Sequence, residues 1–275
     1  MLRNIFIEIE YDGTNYFGWQ VQNHQISKSP RHKVTPEGKS STSYGAGRSQ
    51  VGEKVRTVQG ELEKALRRLF NQEVRVASAG RTDRGVHARG QCASLKVKTK
   101  IPLKNIKKAL NSFLPGDIRI NKIKTVPLDF HARFSAKSKV YRYIIINKRN
   151  FSVFIRNYAW HIDEIINLHA IKKAARRIIG KRDFSCFAKQ ASAYKSCVRI
   201  LKNISIKKRG SYIYIDIEAS GFLRNMARNI VSFLVAVGTG RISQKDIGGI
   251  IKGEIRYINN PAPPQGLYLM KIKYE

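Results

Sequence analysis

The sequence predicts an α+β protein in which two ferredoxin-like halves share a mixed, mainly antiparallel sheet. Runs of alternating apolar residues, typical of strands, occur about eight times, and apolar residues at helical spacing occur four times. In chain order each half is read as strand, helix, strand, strand, helix, strand, which is a split βαβ unit. We therefore expect helices on one face of the sheet and an open cleft for a broad ligand.

The elements are predicted in chain order from these two periods. The expected strands span residues 6–11, 74–79, 93–97, 118–123, 141–146, 200–206, 212–218 and 267–272. The expected helices cover 58–69, 106–113, 168–178 and 222–233, and Thr57 is a suitable N-cap for the first. The halves are then residues 1–135 and 136–275.

A segment at about 24–54 fits neither period. It is rich in Ser, Gly, Thr and Lys and holds Pro30 and Pro36, so we predict a mobile loop inserted into the first half. Its basic residues outnumber its acidic ones, which leaves open whether it is a solvated excursion or an arm that touches a polyanion.

The charge balance indicates the kind of ligand. Lys and Arg total 52 against 19 Asp and Glu, a formal net charge of +33, and such a surplus attracts polyanions, above all nucleic acid. We expect no membrane contact, because no run approaches the roughly 18 apolar residues of a spanning helix. The first residues enter a strand pattern without a secretory signal, so a cytoplasmic protein is expected. Three widely spaced cysteines oppose a disulfide framework and a four-ligand zinc site.

One segment, Gly80–Ala88, concentrates the residues that carry chemistry. Its glycines permit tight turns, and it lies between two predicted strands. Asp83 stands between Arg81 and Arg84, whose charges favour an ionised carboxylate that suits a nucleophile or a base. An isolated aspartate near glycine would more often close a turn with its own backbone.

Several motifs in order resemble those of the TruA-type tRNA pseudouridine synthase family. The family usually shares the Gly80–Ala88 motif, with a small residue where this chain has Arg84. Further matching segments lie along nearly the whole chain, at residues 10–13, 17–20, 57–66, 111–117, 129–136, 141–143, 183–185, 222–229 and 262–269. The resemblance covers both halves and is too extensive for chance.

This resemblance implies that uridines at positions 38, 39 and 40 of the tRNA anticodon stem-loop are isomerised to pseudouridine without a metal or another cofactor. Asp83 matches the family's essential aspartate, and Tyr141 matches a tyrosine that packs on the target base. Arg228 matches an arginine that pairs with the aspartate, and a buried pair would keep the carboxylate ionised and aimed. Arg81 matches a residue that helps to flip the target nucleotide out of the stem. We expect Arg84 to bind substrate as well.

Three questions stay open at this point. The spacing of residues does not decide whether Asp83 adds to the uracil ring, attacks the sugar carbon or removes a sugar proton. A non-catalytic RNA-binding module is the alternative from another class, and a synthase for other RNA positions is the alternative among enzymes. The resemblance also implies a homodimer.

Overall fold

The computed structural model describes residues 1–20, 55–255 and 260–274. In the first half, β1 (Leu2–Tyr11) is followed by α1 (Val58–Phe70), β2 (Ala77–Ser78), β3 (His87–Lys98), α2 (Leu103–Phe113) and β4 (Ile118–Val126). The insertion predicted at about 24–54 falls within residues 21–54, outside the described residues.

The second half repeats the pattern with short additions. Its elements are β5 (Ser138–Asn147), β6 (Trp160–Ile162), α3 (Leu168–Ile178), β7 (Gly180–Asp183), β8 (Val198–Arg209), β9 (Tyr212–Ala219), α4 (Met226–Gly238), α5 (Ile247–Lys252) and β10 (Leu267–Lys273). The described part of the chain thus holds ten strands and five α-helices.

The ten strands form one mixed sheet in the order β4-β1-β3-β10-β5-β9-β8-β7, with β2 beside β3 and β6 beside β5. Within each half the four main strands follow the same spatial order, fourth, first, third, second, as a split βαβ unit requires. The halves meet where β10 pairs in parallel with β3, so the last strand joins the two sheets into one. The predicted fold class is confirmed, whereas the boundary at 135/136 stays a prediction.

Burial explains why these segments take these conformations. Alternate residues of β1, among them Ile5, Ile7 and Ile9, are almost fully buried, which fixes the register of the strand. Helix α1 buries one face, and its predicted N-cap is confirmed because the Thr57 side chain accepts a hydrogen bond from the Gly60 amide. No helix in the described ranges is long and apolar enough to cross a membrane.

Several predicted boundaries were wrong, and three of them lie near the loop at residues 80–88 or the helix that faces it. The strand expected at 74–79 is reduced to Ala77–Ser78, since only these residues pair with β3. The helix expected from Phe222 begins at Met226, because Asn225 has a left-handed backbone with φ 61° that interrupts the helical turn. His87, expected in a loop, is the first residue of β3.

Candidate active site on the loop before the central strand

The loop between β2 and β3 is tied to the sheet at its start. The Ala79 amide donates to the Cys92 carbonyl at 2.8 Å, and the Gln91 amide side chain donates to the Gly80 carbonyl at 2.7 Å. Gln91 is fully buried, which fixes the side chain that donates this partly buried bond. The loop therefore begins from a fixed backbone position at the end of a central strand.

The rest of the loop packs against residues 13–19, which follow β1. The Trp19 amide donates to the Thr82 carbonyl at 3.1 Å, and the Thr82 hydroxyl bonds to the buried Tyr11 hydroxyl at 2.8 Å. A Cβ at Gly18 would lie 2.5 Å from the Thr82 carbonyl oxygen, and Gly18 has φ +94°, so glycine is needed there twice over. The backbone on either side of Asp83 is thus held by close contacts.

Asp83 meets Arg228 from the first turn of α4. The Nη1 atom of Arg228 donates to Oδ2 of Asp83 at 3.3 Å, and its Nε donates to the Ala262 carbonyl at 2.6 Å. The carbonyl orients the guanidinium, which in turn orients the carboxylate. The Arg228 side chain is 15% exposed and that of Asp83 is 38% exposed. The expected pair is present, but its carboxylate is partly open to solvent.

Tyr141 lies on β5 beside this pair. Its ring packs edge-on against Phe222 with 4.8 Å between centroids, and the residue is only 6% exposed. Burial raises the pKa of its hydroxyl far above the usual value of 10, and the charges of Tyr11 and Asp83 raise it further. The hydroxyl is therefore protonated at neutral pH. Phe222 reaches this ring because α4 begins only at Met226.

Tyr143 is fully buried two residues further along β5. Its hydroxyl donates to the Pro263 carbonyl at 2.7 Å. Pro263 follows Ala262, whose carbonyl holds Arg228, so Tyr143 stabilises the segment that orients the arginine.

Lys139 is a residue of the site that sequence reasoning missed. Its ammonium donates to the Ala79 carbonyl at 2.6 Å, at the start of the loop, and it lies on the same face of β5 as Tyr141. Burial, reinforced by the charge of Arg133, lowers the pKa of Lys139 to about 8. The available signal was its position two residues before Tyr141.

Arg81 and Arg84 are both exposed on either side of Asp83. Among the described residues, no carboxylate lies within ion-pair distance of either guanidinium, whereas the Asp83 carboxylate contacts Arg228. Arg84 is held over the Phe17 ring, with Cζ 4.2 Å from the ring centroid. The structure thus leaves both charges available to an anionic ligand.

His87 is a structural residue at the end of the loop. The Gly13 amide donates to Nδ1 at 3.0 Å and Nε2 contacts the Asn157 carbonyl at 2.9 Å, which fits a neutral ring protonated on Nε2. Burial lowers its pKa despite the nearby Asp12, whose Oδ1 already accepts hydrogen bonds from Thr14. The contact of His87 with Asp12 at 3.1 Å is therefore not an ion pair at neutral pH.

His131 also supports the backbone, since its Nδ1 accepts from the Arg133 amide at 3.1 Å. Within residues 1–20, 55–255 and 260–274, no group of three or more His, Cys, Asp or Glu side chains is placed to hold a metal ion.

A partly exposed carboxylate oriented by Arg228 and flanked by two exposed arginines, on the doubled split βαβ sheet of a strongly basic chain, is typical of an enzyme for a polyanionic substrate. The family model described as "tRNA pseudouridine synthase" matches residues 37–135 and 174–275. The chain belongs to the tRNA pseudouridine synthase family, whose members are isomerases that act on uridine in RNA. The resemblance found in the sequence motifs is confirmed.

Relatives match over almost their full length. "tRNA pseudouridine synthase A" of Thermoanaerobacter sp. (strain X514) is 42% identical over 274 residues, which cover 99% of this chain and 100% of the relative. The proteins of the same name from Caldicellulosiruptor bescii and Geotalea daltonii are 39% and 36% identical, each with 99% of this chain and 100% of the relative covered.

Proposed function

We propose that the protein isomerises uridine to pseudouridine at positions 38, 39 and 40 of the tRNA anticodon stem-loop, with Asp83 as the essential carboxylate. The observation that carries this proposal is the contact of Asp83 with Arg228. One carboxylate oxygen is engaged by a guanidinium that Ala262 holds in place, and the other oxygen has no hydrogen-bond partner among the described residues. Such a carboxylate is oriented by the guanidinium and keeps one oxygen able to react.

The reaction conserves atoms and needs no electron transfer. The bond from C1′ to N1 breaks, the uracil rotates within the site, and a bond from C1′ to C5 forms. The proton on C5 is lost, and N1 gains one. Three roles of Asp83 are alternatives: it adds to the uracil ring, attacks the sugar carbon or removes a sugar proton. The first two form different covalent intermediates on the carboxylate, and the third forms none.

Tyr141 would pack against the detached uracil and keep it in place during rotation. Its raised pKa means that the hydroxyl is a hydrogen-bond donor at neutral pH. We propose that the hydroxyl oxygen accepts the proton from C5 while the hydroxyl gives its own proton to another acceptor. The two transfers are coupled because a free tyrosinate is unfavourable at this buried position.

Arg81 would stabilise the extruded nucleotide. A uridine within a stacked stem does not expose its glycosidic bond, so the base must leave the stack before Asp83 can reach it. The exposed Arg81 guanidinium beside Asp83 has no carboxylate partner within the described ranges, and it can bind the displaced phosphate or stack on the vacated position.

A direct test incubates an unmodified tRNA transcript with the protein and maps pseudouridine chemically at each nucleotide. We expect conversion at positions 38, 39 and 40, and loss of all conversion in Asp83→Ala with tRNA binding nearly retained, because most affinity comes from phosphate contacts. Asp163→Ala, at an exposed carboxylate outside the loop, is the matched control. Conversion only elsewhere in the RNA would assign different target positions, and an active Asp83→Ala would exclude the proposed carboxylate.

Two further parts of the proposal concern the setting of the enzyme. We propose that it acts in the cytoplasm, where its tRNA substrate is found, and as a homodimer in which one tRNA contacts both subunits. Light scattering of the purified protein with and without tRNA tests the dimer, and a monomer mass under both conditions would contradict it.

A further inference from the structure

An arginine guanidinium lies over each of two consecutive aromatic rings beside the catalytic loop. The Cζ atom of Arg56 lies 5.0 Å from the Tyr16 ring centroid, and that of Arg84 lies 4.2 Å from the Phe17 ring centroid. Both are cation–π contacts in type. They differ in what surrounds the charge.

The charge of Arg56 is balanced within the protein. Its Nε lies 3.5 Å from a Glu61 carboxylate oxygen, and its Nη2 donates at 3.1 Å to the Tyr16 hydroxyl, which itself donates to Asp117. The carboxylates of Glu61 and Asp117 therefore compensate the positive charge of Arg56. An additional anion would gain little by binding there.

The charge of Arg84 is not compensated by a carboxylate among the described residues. No carboxylate in the described ranges lies within ion-pair distance of its guanidinium, and the Asp83 carboxylate beside it in sequence contacts Arg228. Phe17 is 41% exposed, and Arg84 is exposed as well. This second stack is thus a positive, solvent-facing surface next to the catalytic carboxylate.

Backbone contacts fix this surface in place. The Phe17 amide donates to the Arg56 carbonyl at 3.0 Å, and the Gly85 amide donates to the Tyr16 carbonyl at 3.3 Å. The residue that follows Arg84 is therefore tied to the residue that precedes Phe17, and Phe17 itself is tied to Arg56. The guanidinium of Arg84 lies over this fixed ring, and a planar guanidinium can donate to two oxygens of one phosphate.

Resting on the proposed function, we propose that Arg84, held by Phe17, binds a backbone phosphate of the nucleotide next to the target uridine. The position beside Asp83 sets the location, because a ligand phosphate there belongs to the target nucleotide or its neighbour. Arg84 and Phe17 then form a subsite that determines how the RNA strand is placed relative to the carboxylate. They take no part in bond breaking.

The test measures tRNA binding as a function of salt for the full chain and for Arg84→Ala, together with steady-state conversion. One phosphate contact contributes about 0.7 to 0.9 to the slope of log K against log salt, so we expect the slope to fall by about that amount. We expect KM to rise about tenfold and kcat to change less than about twofold, because the contact is made in both the ground state and the transition state.

Three further variants separate the explanations. Arg84→Lys keeps the charge but loses the planar edge, so an intermediate KM is expected. Phe17→Leu keeps an apolar side chain and frees the guanidinium, which we expect to raise KM less than Arg84→Ala does. Arg56→Ala removes an equal charge from the balanced stack, and we expect its salt slope to stay at the wild-type value. Thermal unfolding of each variant checks that the fold is intact.

Several outcomes would overturn the subsite. A salt slope in Arg84→Ala equal to that of the unaltered protein would exclude a phosphate contact. If KM rises while the slope stays unchanged, Arg84 stacks on a base instead. An equal fall in slope for Arg56→Ala would show only a general charge effect. Absence of pseudouridine formation by the unaltered protein would overturn the proposed function, whereas the salt slopes would still decide whether Arg84 binds a phosphate.

Discussion

Two pairs of aspartate and arginine in this molecule have opposite designs. Asp216 on β9 faces Arg142 on β5 directly across the sheet, and both of its oxygens accept bonds from the guanidinium, at 2.7 and 2.8 Å. Asp83 has a single 3.3 Å contact with Arg228, whose Nε is occupied by a backbone carbonyl. In the first pair both carboxylate oxygens accept hydrogen bonds from the guanidinium, while in the second pair one carboxylate oxygen stays available to a substrate.

The difference shows that a pair of aspartate and arginine can either stabilise a sheet or orient a carboxylate for a ligand. A bidentate pair between neighbouring strands adds geometric specificity to the sheet and has little capacity left for a ligand. A carboxylate on a loop, held by an arginine from a distant helix, is oriented but incompletely satisfied. The four predictions below test this distinction, beginning with the largest expected effect.

Replacing each aspartate by asparagine should separate the pairs most clearly. We expect Asp83→Asn to lower the rate of pseudouridine formation by about 10⁴-fold or more, as when the central reacting group of other enzymes is removed. Asp216→Asn should leave the rate within about threefold, because that carboxylate is engaged with Arg142. Single-turnover assays with saturating enzyme measure both. Comparable losses in the two variants would contradict the distinction between the pairs.

Replacing each arginine by methionine tests the orienting role. Arg228→Met should lower kcat by about 10² to 10³-fold, the usual cost of losing one positioned donor, with tRNA binding little changed. Arg142→Met should mainly cost stability, by less than about 1 kcal/mol, because the pair is partly exposed and screened by solvent. Urea unfolding and kcat are measured for both variants. A large loss of kcat in Arg142→Met would place that pair in the reacting site.

The two tyrosines of β5 extend the comparison to hydroxyl groups. Tyr141→Phe keeps the ring that packs on Phe222, so we expect kcat to fall about 10²-fold from lost proton transfer while KM hardly changes. Tyr143→Phe leaves the Pro263 carbonyl without its partner, and it should lower stability by about 1 kcal/mol with a smaller effect on kcat. If Tyr141→Phe retains full kcat, the ring alone is the contribution of Tyr141.

The loop and the doubled split βαβ arrangement were within reach of the sequence, because a dense motif and simple periods encode them. The pairing of Asp83 with Arg228 was expected only from the resemblance to the family, since a lone arginine on a helix is usually a solvated charge. The orienting carbonyl of Ala262 was not, since every residue has a carbonyl and only the fold selects one. The start of α4 depends on the left-handed Asn225, which a single-residue preference does not reveal. The contact of Phe222 with Tyr141 follows from that break.

Lys139 is a third arrangement, a buried cation whose hydrogen-bond partner is the Ala79 carbonyl, with no carboxylate in ion-pair range among the described residues. Its pKa is lowered from 10.5 to about 8, so between these values the unfolded chain binds more protons than the folded one. Stability linked to this group therefore rises with pH through that window and is lowest below pH 8, where the buried amine is charged.

Lys139→Met removes this titration, and we expect the variant to gain most relative to the unaltered protein at pH 7 and least near pH 10. The difference in unfolding free energy should change by less than about 1.4 kcal/mol per pH unit, the limit for one proton. Urea unfolding of both proteins at pH 7, 8.5 and 10 measures it, and the subtraction cancels the tyrosines that titrate in the same range. A difference that does not vary with pH would show that Lys139 keeps an ordinary pKa, and that a carbonyl partner is enough to hold a charged amine beside the catalytic loop.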